Sequence, residues 1–262
     1  MKSYFKNMKT ITKVDYATYL GVILAFIVVS ICQSQGLVSR SLGGMLVPIC
    51  TYVVLAISLN PTVGILGELS LGHAGFLCVG AFSSAFFSRC TQDVITAAPL
   101  RFFLALLIGA ATAAVFGILI GIPALRLKGD YLAIVTLAFG EIIKNIMNAV
   151  YLGVDDSGLH FSLKDAASMN MAEDGKILIN GAMGITGIKK TSTFTMGIIL
   201  VLITLVVVLN LIRSRAGRAI SAIRDNEIAA KSIGINITRY KLMAFVLSSV
   251  FAGMAGVLYS LN

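Results

Sequence analysis

Glu68 and His73, with Ser70 between them, are the first residues along the chain whose types and spacing could do chemistry. They stand in segment 60–75, where Pro61, Gly64, Gly67, Gly72 and Gly75 interrupt an otherwise apolar run. Proline removes a backbone donor and glycine weakens a helix, so a break is expected there. At membrane depth such a break is tolerated only against protein or water. Glu68, Ser70 and His73 could then line or gate a path across a bilayer. The alternative is a tight turn between helices with capping polar groups. Glu141 is a second candidate, with Lys144 three residues on, on the same face of a helix. An ionisable group inside a membrane span is costly and points to function by default. The alternative is a mutually neutralising pair that locks helices or snorkels outward.

No engine is visible. Nothing matches G-x-x-x-x-G-K-[ST], G-x-S-x-G or H-E-x-x-H. No catalytic residue, cofactor or metal site is expected. Cys32, Cys50, Cys78 and Cys90 lie in or beside apolar blocks without a C-x-x-C pattern, as small packing residues do. His73 and His160 are far apart, which disfavours zinc. Energy for any pumping must come from another chain or an ion gradient.

Segment 214–236 is the most informative. Asp225 is a good helix N-cap, and Gly234 a good C′ residue with Ile235 placed for the contact beyond it. Between them a short helix is predicted over 225–234, with Ala229, Ala230 and Ile233 on an apolar patch. Such a helix is suited to docking on a partner, with Arg224, Asp225 and Glu227 beside the patch. The alternative is an amphipathic helix held on anionic lipid by the arginines.

These residues are carried by membrane helices. The chain of 262 residues is 57% hydrophobic and only 13% charged. Its apolar blocks run to about twenty residues, enough to cross about 30 Å of hydrocarbon. The predicted fold is all-α, a polytopic membrane helix bundle in a single domain, 1–262. About seven spans are expected, at roughly 16–33, 42–60, 71–89, 101–124, 131–150, 193–212 and 241–260. The first is not read as a signal peptide, because no A-x-A-like site follows it. The net charge of +9 follows topology rather than nucleic-acid binding. Lysines crowd the N-terminus, Arg126 and Lys128 follow the fourth span, and basic residues fill 213–241. This bias places 1–15 and 213–240 in the cytoplasm and 151–192 outside. Small residues repeat every four positions at Gly109, Ala113, Gly117 and Gly121, and again at Ala244, Ser248, Ala252, Gly256 and Ser260. Each ribbon is expected to admit a neighbouring backbone closely.

Four stretches resemble the M-type permease subunit of bacterial branched-chain amino-acid ABC importers. They are Leu69–Phe76, Leu125–Ile142, Asn180–Ile188 and 214–260. The resemblance implies a plasma-membrane subunit forming part of a translocation path. Its implied partners are a second related permease, two ATPase subunits, an external binding protein and membrane lipid. Segment 214–236 resembles the family's ATPase-coupling segment: Ala229, Ala230 and Gly234 keep the spacing of Glu-Ala-Ala, three residues, Gly. Ile228 stands where that pattern has Glu, and Glu227 lies one residue earlier. The family continues with further helices, so the chain is expected to be a partial permease, and 155–178 resembles an insertion. A permease for urea or short amides shares much of this motif set. From other classes, the rivals are a membrane-embedded lipid enzyme and a receptor scaffold using the 151–192 loop.

Overall fold

The computed structural model describes residues 2–36, 39–92, 95, 97–127, 129–155, 158–162, 164, 176–185 and 187–262. The chain is a helical bundle. Its long helices are α1 (Lys2–Ser34), α2 (Arg40–Leu59), α3 (His73–Thr91), α4 (Ala98–Ala124), α5 (Asp130–Ala149), α6 (Phe194–Arg213) and α9 (Ile237–Ser260), with two short helices, α7 (Arg215–Asp225) and α8 (Glu227–Ser232), before the last. Among the described residues six helices are long and apolar enough to cross a membrane. The seventh predicted span, α3, falls below that apolarity. It carries His73, Ser83, Ser84 and Ser88, and much of it is covered by α4 and α9 rather than facing outward. A helix covered by protein needs less apolar surface than one facing lipid.

α9 is the hub. Of its most apolar stretch 61% is buried, whereas none of α1's is. The two small-residue ribbons explain the close packing, but they do not meet each other. Gly109, Gly117 and Gly121 of α4 face Val257, Ser249, Leu242 and Phe245 of α9. The α9 ribbon turns the other way. Gly256 lies against the backbone of Leu77 and Ala81 in α3, Ser260 bonds Ser84 at 3.1 Å, and Ser248 donates to the Ser58 carbonyl of α2. α1 is tied to α6 by the Asp15–Arg213 ion pair.

The 151–192 stretch holds structure that its polar composition did not announce. β1 (Tyr151–Asp155), β2 (Gly158–Ser162) and β3 (Lys176–Asn180) form an antiparallel sheet in the order β2-β1-β3. Tyr151 pairs with Ser162 on one side and Asn180 on the other. The hydrogen-bonded ladder fixes these short strands, while the class remains all-α. Lys128 and most of the expected insertion 155–178 lie outside the described residues.

Candidate functional site

The predicted break is real. α2 runs into a single π-helical turn, Asn60–Ile65, in which the Leu66 amide reaches back to the Pro61 carbonyl at 3.2 Å. Gly67 then takes a φ of +76°, which only glycine adopts freely, and the Glu68 amide bonds the Thr62 carbonyl. The chain next runs without helix until α3 starts at His73.

Hydrogen bonds give the depth of this loop. His73 Nε2 lies 2.6 Å from Ser58 Oγ, and Ser58 is in turn bonded by Ser248. Ser248 sits roughly 16 Å along α9 from its first residue, at 1.5 Å per residue. Glu68 instead bonds Lys241, only about 6 Å along the same helix. The backbone thus runs from Ser58 toward the N-terminal end of α9 at Glu68 and back to His73, so segment 60–72 is the turn that joins α2 to α3. Protein covers it, as irregular backbone at membrane depth requires. The Leu71 amide donates to Thr136 Oγ1 at 3.1 Å, and Gly72 abuts the Thr136 backbone. Ile65 and Leu66 share a buried cluster with Ile220 and Ile223 of α7, Ala230 of α8 and Ala244 of α9.

The candidate path residues therefore fall in three places. Glu68 sits at the foot of the loop in a charge cluster: Lys241 Nζ is 2.5 Å from Glu68 Oε1 and 3.6 Å from Glu227 Oε2. Among the described residues, Glu68 Oε2 and Ser70 Oγ are buried without a hydrogen-bond partner. His73 is buried at the top of the loop, beside Phe76. Glu141 joins neither group. It pairs with Lys144 at 3.2 Å on an outward face of α5, and both side chains are more than half exposed. Lys241 was read from the sequence only as one of the loop's basic charges. Nothing local marks it as buried beside two acids. Thr136 and Ser58 gave no signal either, since lone hydroxyl residues are common in apolar helices.

The 213–240 segment is two helices rather than one. Ser214 caps α7, its Oγ accepting from the Gly217 amide at 3.1 Å. Asp225 is not the cap of the next helix. It is the last residue of α7 and is bonded by the Arg224 guanidinium. Asn226 takes the cap instead, being extended and accepting from the Ala229 amide at 3.0 Å. Either side chain can cap; α7 extends through 225 and leaves 226 the first extended position. At the other end the predicted Gly234 geometry is present, with φ at +85°. The Ile235 amide bonds the Ala230 carbonyl and the Gly234 amide bonds that of Lys231, the paired bonds of a Schellman end. The predicted apolar patch splits. Ala230 is buried, whereas Ala229 is exposed and Ile233 is 76% exposed; Ile228, outside the predicted patch, is 81% exposed. α8 is thus held by Ala230, and Ile228 with the C-cap residue Ile233 turns outward.

Residues 41–262 match the protein family described as branched-chain amino acid transport system / permease component. The chain belongs to this permease family. It is 34% identical over 218 residues to the high-affinity branched-chain amino acid transport system permease protein LivM of Salmonella typhimurium, and 35% identical to that of Escherichia coli, in each case across 80% of this chain and 50% of the relative. It is 26% identical over 206 residues to the nucleoside ABC transporter permease protein NupC of Lactococcus lactis, across 74% of this chain and 59% of the relative. The chain spans about half the length of the LivM relatives it matches. No solved structure matches. α1 lies before the matched region, while the 60–72 loop, the α5 ion pair and α7–α9 all fall inside it. It is a multi-pass membrane permease by family and by its apolar helices.

Proposed function

We propose that this permease is one membrane subunit of an ATP-driven importer of branched-chain amino acids in a bacterial plasma membrane. The observation that carries it is α8: a helix capped at both ends, anchored by Ala230 against the 60–72 loop, with Ile228 and the C-cap residue Ile233 exposed. Two isoleucines turned outward beside Glu227 and Lys231 give a partner subunit an apolar contact to cover. An ATPase subunit would seat on α7–α8, through Arg224, Asp225, Glu227, Ala229, Ala230 and Gly234. Segments 1–15 and 213–240 face the cytoplasm and 151–192 the exterior, as the distribution of Lys and Arg favours. Glu68, Ser70 and His73 belong to a gating loop, and Glu141 to the α5 face that borders the path. A second permease, a second ATPase and an external binding protein complete the machine.

The test is to co-purify the chain with the ATPase and sister permease, then measure leucine uptake in proteoliposomes supplied with the binding protein. ATP-dependent leucine uptake is expected. Uptake of uridine or urea in place of leucine would overturn the substrate, and failure to retain any ATPase would overturn the class.

A further inference from the structure

Beside α8 a cavity of about 590 Å³ opens where α4 ends and α9 begins. Ile122, Arg126, Glu227, Lys231, Thr238 and Lys241 line it. With Glu68 behind Lys241, the group holds three cations and two acids, so it is net positive. Lys241 serves both acids, at 2.5 Å from Glu68 and 3.6 Å from Glu227. That leaves Arg126 and Lys231. Among the described residues, neither side chain makes an ion pair or a hydrogen bond. Two like charges thus share one cavity, one from just beyond α4 and one from α8. Like charges repel, and an anion between them replaces that repulsion with attraction. The apolar wall says what carries the anion. Ile122 is exposed, and Leu119, Ile118 and Val115 continue the exposed strip back along α4. The spacing 115, 118, 119, 122 is one face of a helix. α4 is apolar enough to cross a membrane, so this face runs from the cavity into the hydrocarbon. An anion bearing apolar chains matches both parts. A free phosphate or an acidic side chain matches only the basic one.

We propose that this cavity binds an anionic phospholipid. Its phosphate lies between Arg126 and Lys231, with the Thr238 hydroxyl as a further donor, and its acyl chains lie on the 115–122 strip of α4. Basic pockets between spanning helices at the membrane surface hold anionic headgroups in this way. The charge of Glu227 is offset by Lys241 at its side. The inference needs only that the chain spans a bilayer. It rests neither on the transported substrate nor on the reading of α8 as an ATPase dock.

The probe is phosphatidylglycerol, titrated into the purified chain in detergent and read by native mass spectrometry. Phosphatidylcholine with the same acyl chains is the neutral comparison. Phosphatidylglycerol is expected to bind and to survive detergent exchange, and phosphatidylcholine to be lost. Arg126→Gln and Lys231→Gln should each weaken phosphatidylglycerol binding about fivefold, the size expected of one basic residue at a membrane surface, and the double variant about twentyfold. Arg215→Gln removes a charge of α7 that does not line the cavity, and should bind like wild type. Ile122→Gln puts a polar group on the apolar wall and should also weaken the lipid. Glycerol phosphate, the headgroup without its chains, should not compete at equal concentration. Arg126 and Lys231 are both exposed, so the variants should melt like wild type in lipid-free detergent. Should the double variant melt early, the two single variants carry the test. Equal binding of the two lipids, variants that bind like wild type, or an equal loss in Arg215→Gln would overturn the site. Effective competition by glycerol phosphate would overturn the lipid as its occupant.

Discussion

At the residue scale, Gly234 and the Glu141–Lys144 pair separate backbone geometry from charge. A Cβ added at Gly234 meets open space, so only its φ of +85° resists substitution. A β-branched residue there should cost on the order of 1 kcal/mol or more, from the left-handed backbone alone. Gly234→Val is expected to leave membrane insertion intact, weaken ATPase co-purification and abolish leucine-stimulated hydrolysis. Gly234→Asn, which tolerates this region better, should retain most of both. Normal coupling in Gly234→Val would place the dock elsewhere. Glu141 poses a different question. It lies roughly 12 Å from the C-terminal end of α5 at 1.5 Å per residue. Helical side chains lean toward the N-terminus, so Lys144 reaches back to Glu141 rather than on toward that end. An exposed pair at that depth is costly against lipid, so protein or water must cover it. Glu141→Gln should lower the yield of assembled complex by stranding Lys144. The double variant Glu141→Gln/Lys144→Met should restore yield. Its leucine uptake then decides the role: recovered uptake means a structural pair, and full assembly with no uptake places Glu141 in the path.

At the element scale, the tightest constraint is the crossing of α9 with α3 and α4. A side chain at Gly256 would run into the backbone of Leu77 and Ala81, which cannot swing aside. Gly256→Leu is therefore expected to destabilise the bundle by about 1–3 kcal/mol or more, the usual range for overpacking a core. Detergent thermal-melt curves would show it as a lowered midpoint. Gly43→Leu, where a Cβ meets nothing, is the control and should melt like wild type. Equal melts for the two would mean that the ribbon does not carry the packing. The ribbons were legible in the sequence because small residues at every fourth position mark one helix face. Which helix each ribbon meets was not, since a periodic face identifies a contact surface but not its partner.

At the scale of the whole molecule, topology can be tested without function. Single cysteines at Ser162 and Ser221, in a chain whose four native cysteines are replaced, should label from opposite sides. Ser162→Cys is expected to react with an impermeant maleimide on intact cells, and Ser221→Cys only after permeabilisation. Labelling of Ser221→Cys from outside would reverse the orientation that the basic residues favour.

The sequence alone settled the helical class, the positions of the long helices, the break after α2, the left-handed end at Gly234 and the family resemblance. Each is local information: apolar block length, a Pro and Gly cluster, a residue without a Cβ, or a linear motif. Tertiary structure decided that the foot of the break, at Glu68, lies near the N-terminal end of α9. It also decided that Asn226 rather than Asp225 caps α8, and that Ile228 and Ile233 face outward while Ala230 is buried. Above all it decided that Lys241 meets Glu68 across 173 residues of chain. A charge reads as a loop cation until the fold buries it, and burial is a property of what packs above it, not of its neighbours in sequence. Desolvation makes that cation need its carboxylates, and only the path of the backbone determines which carboxylates are there.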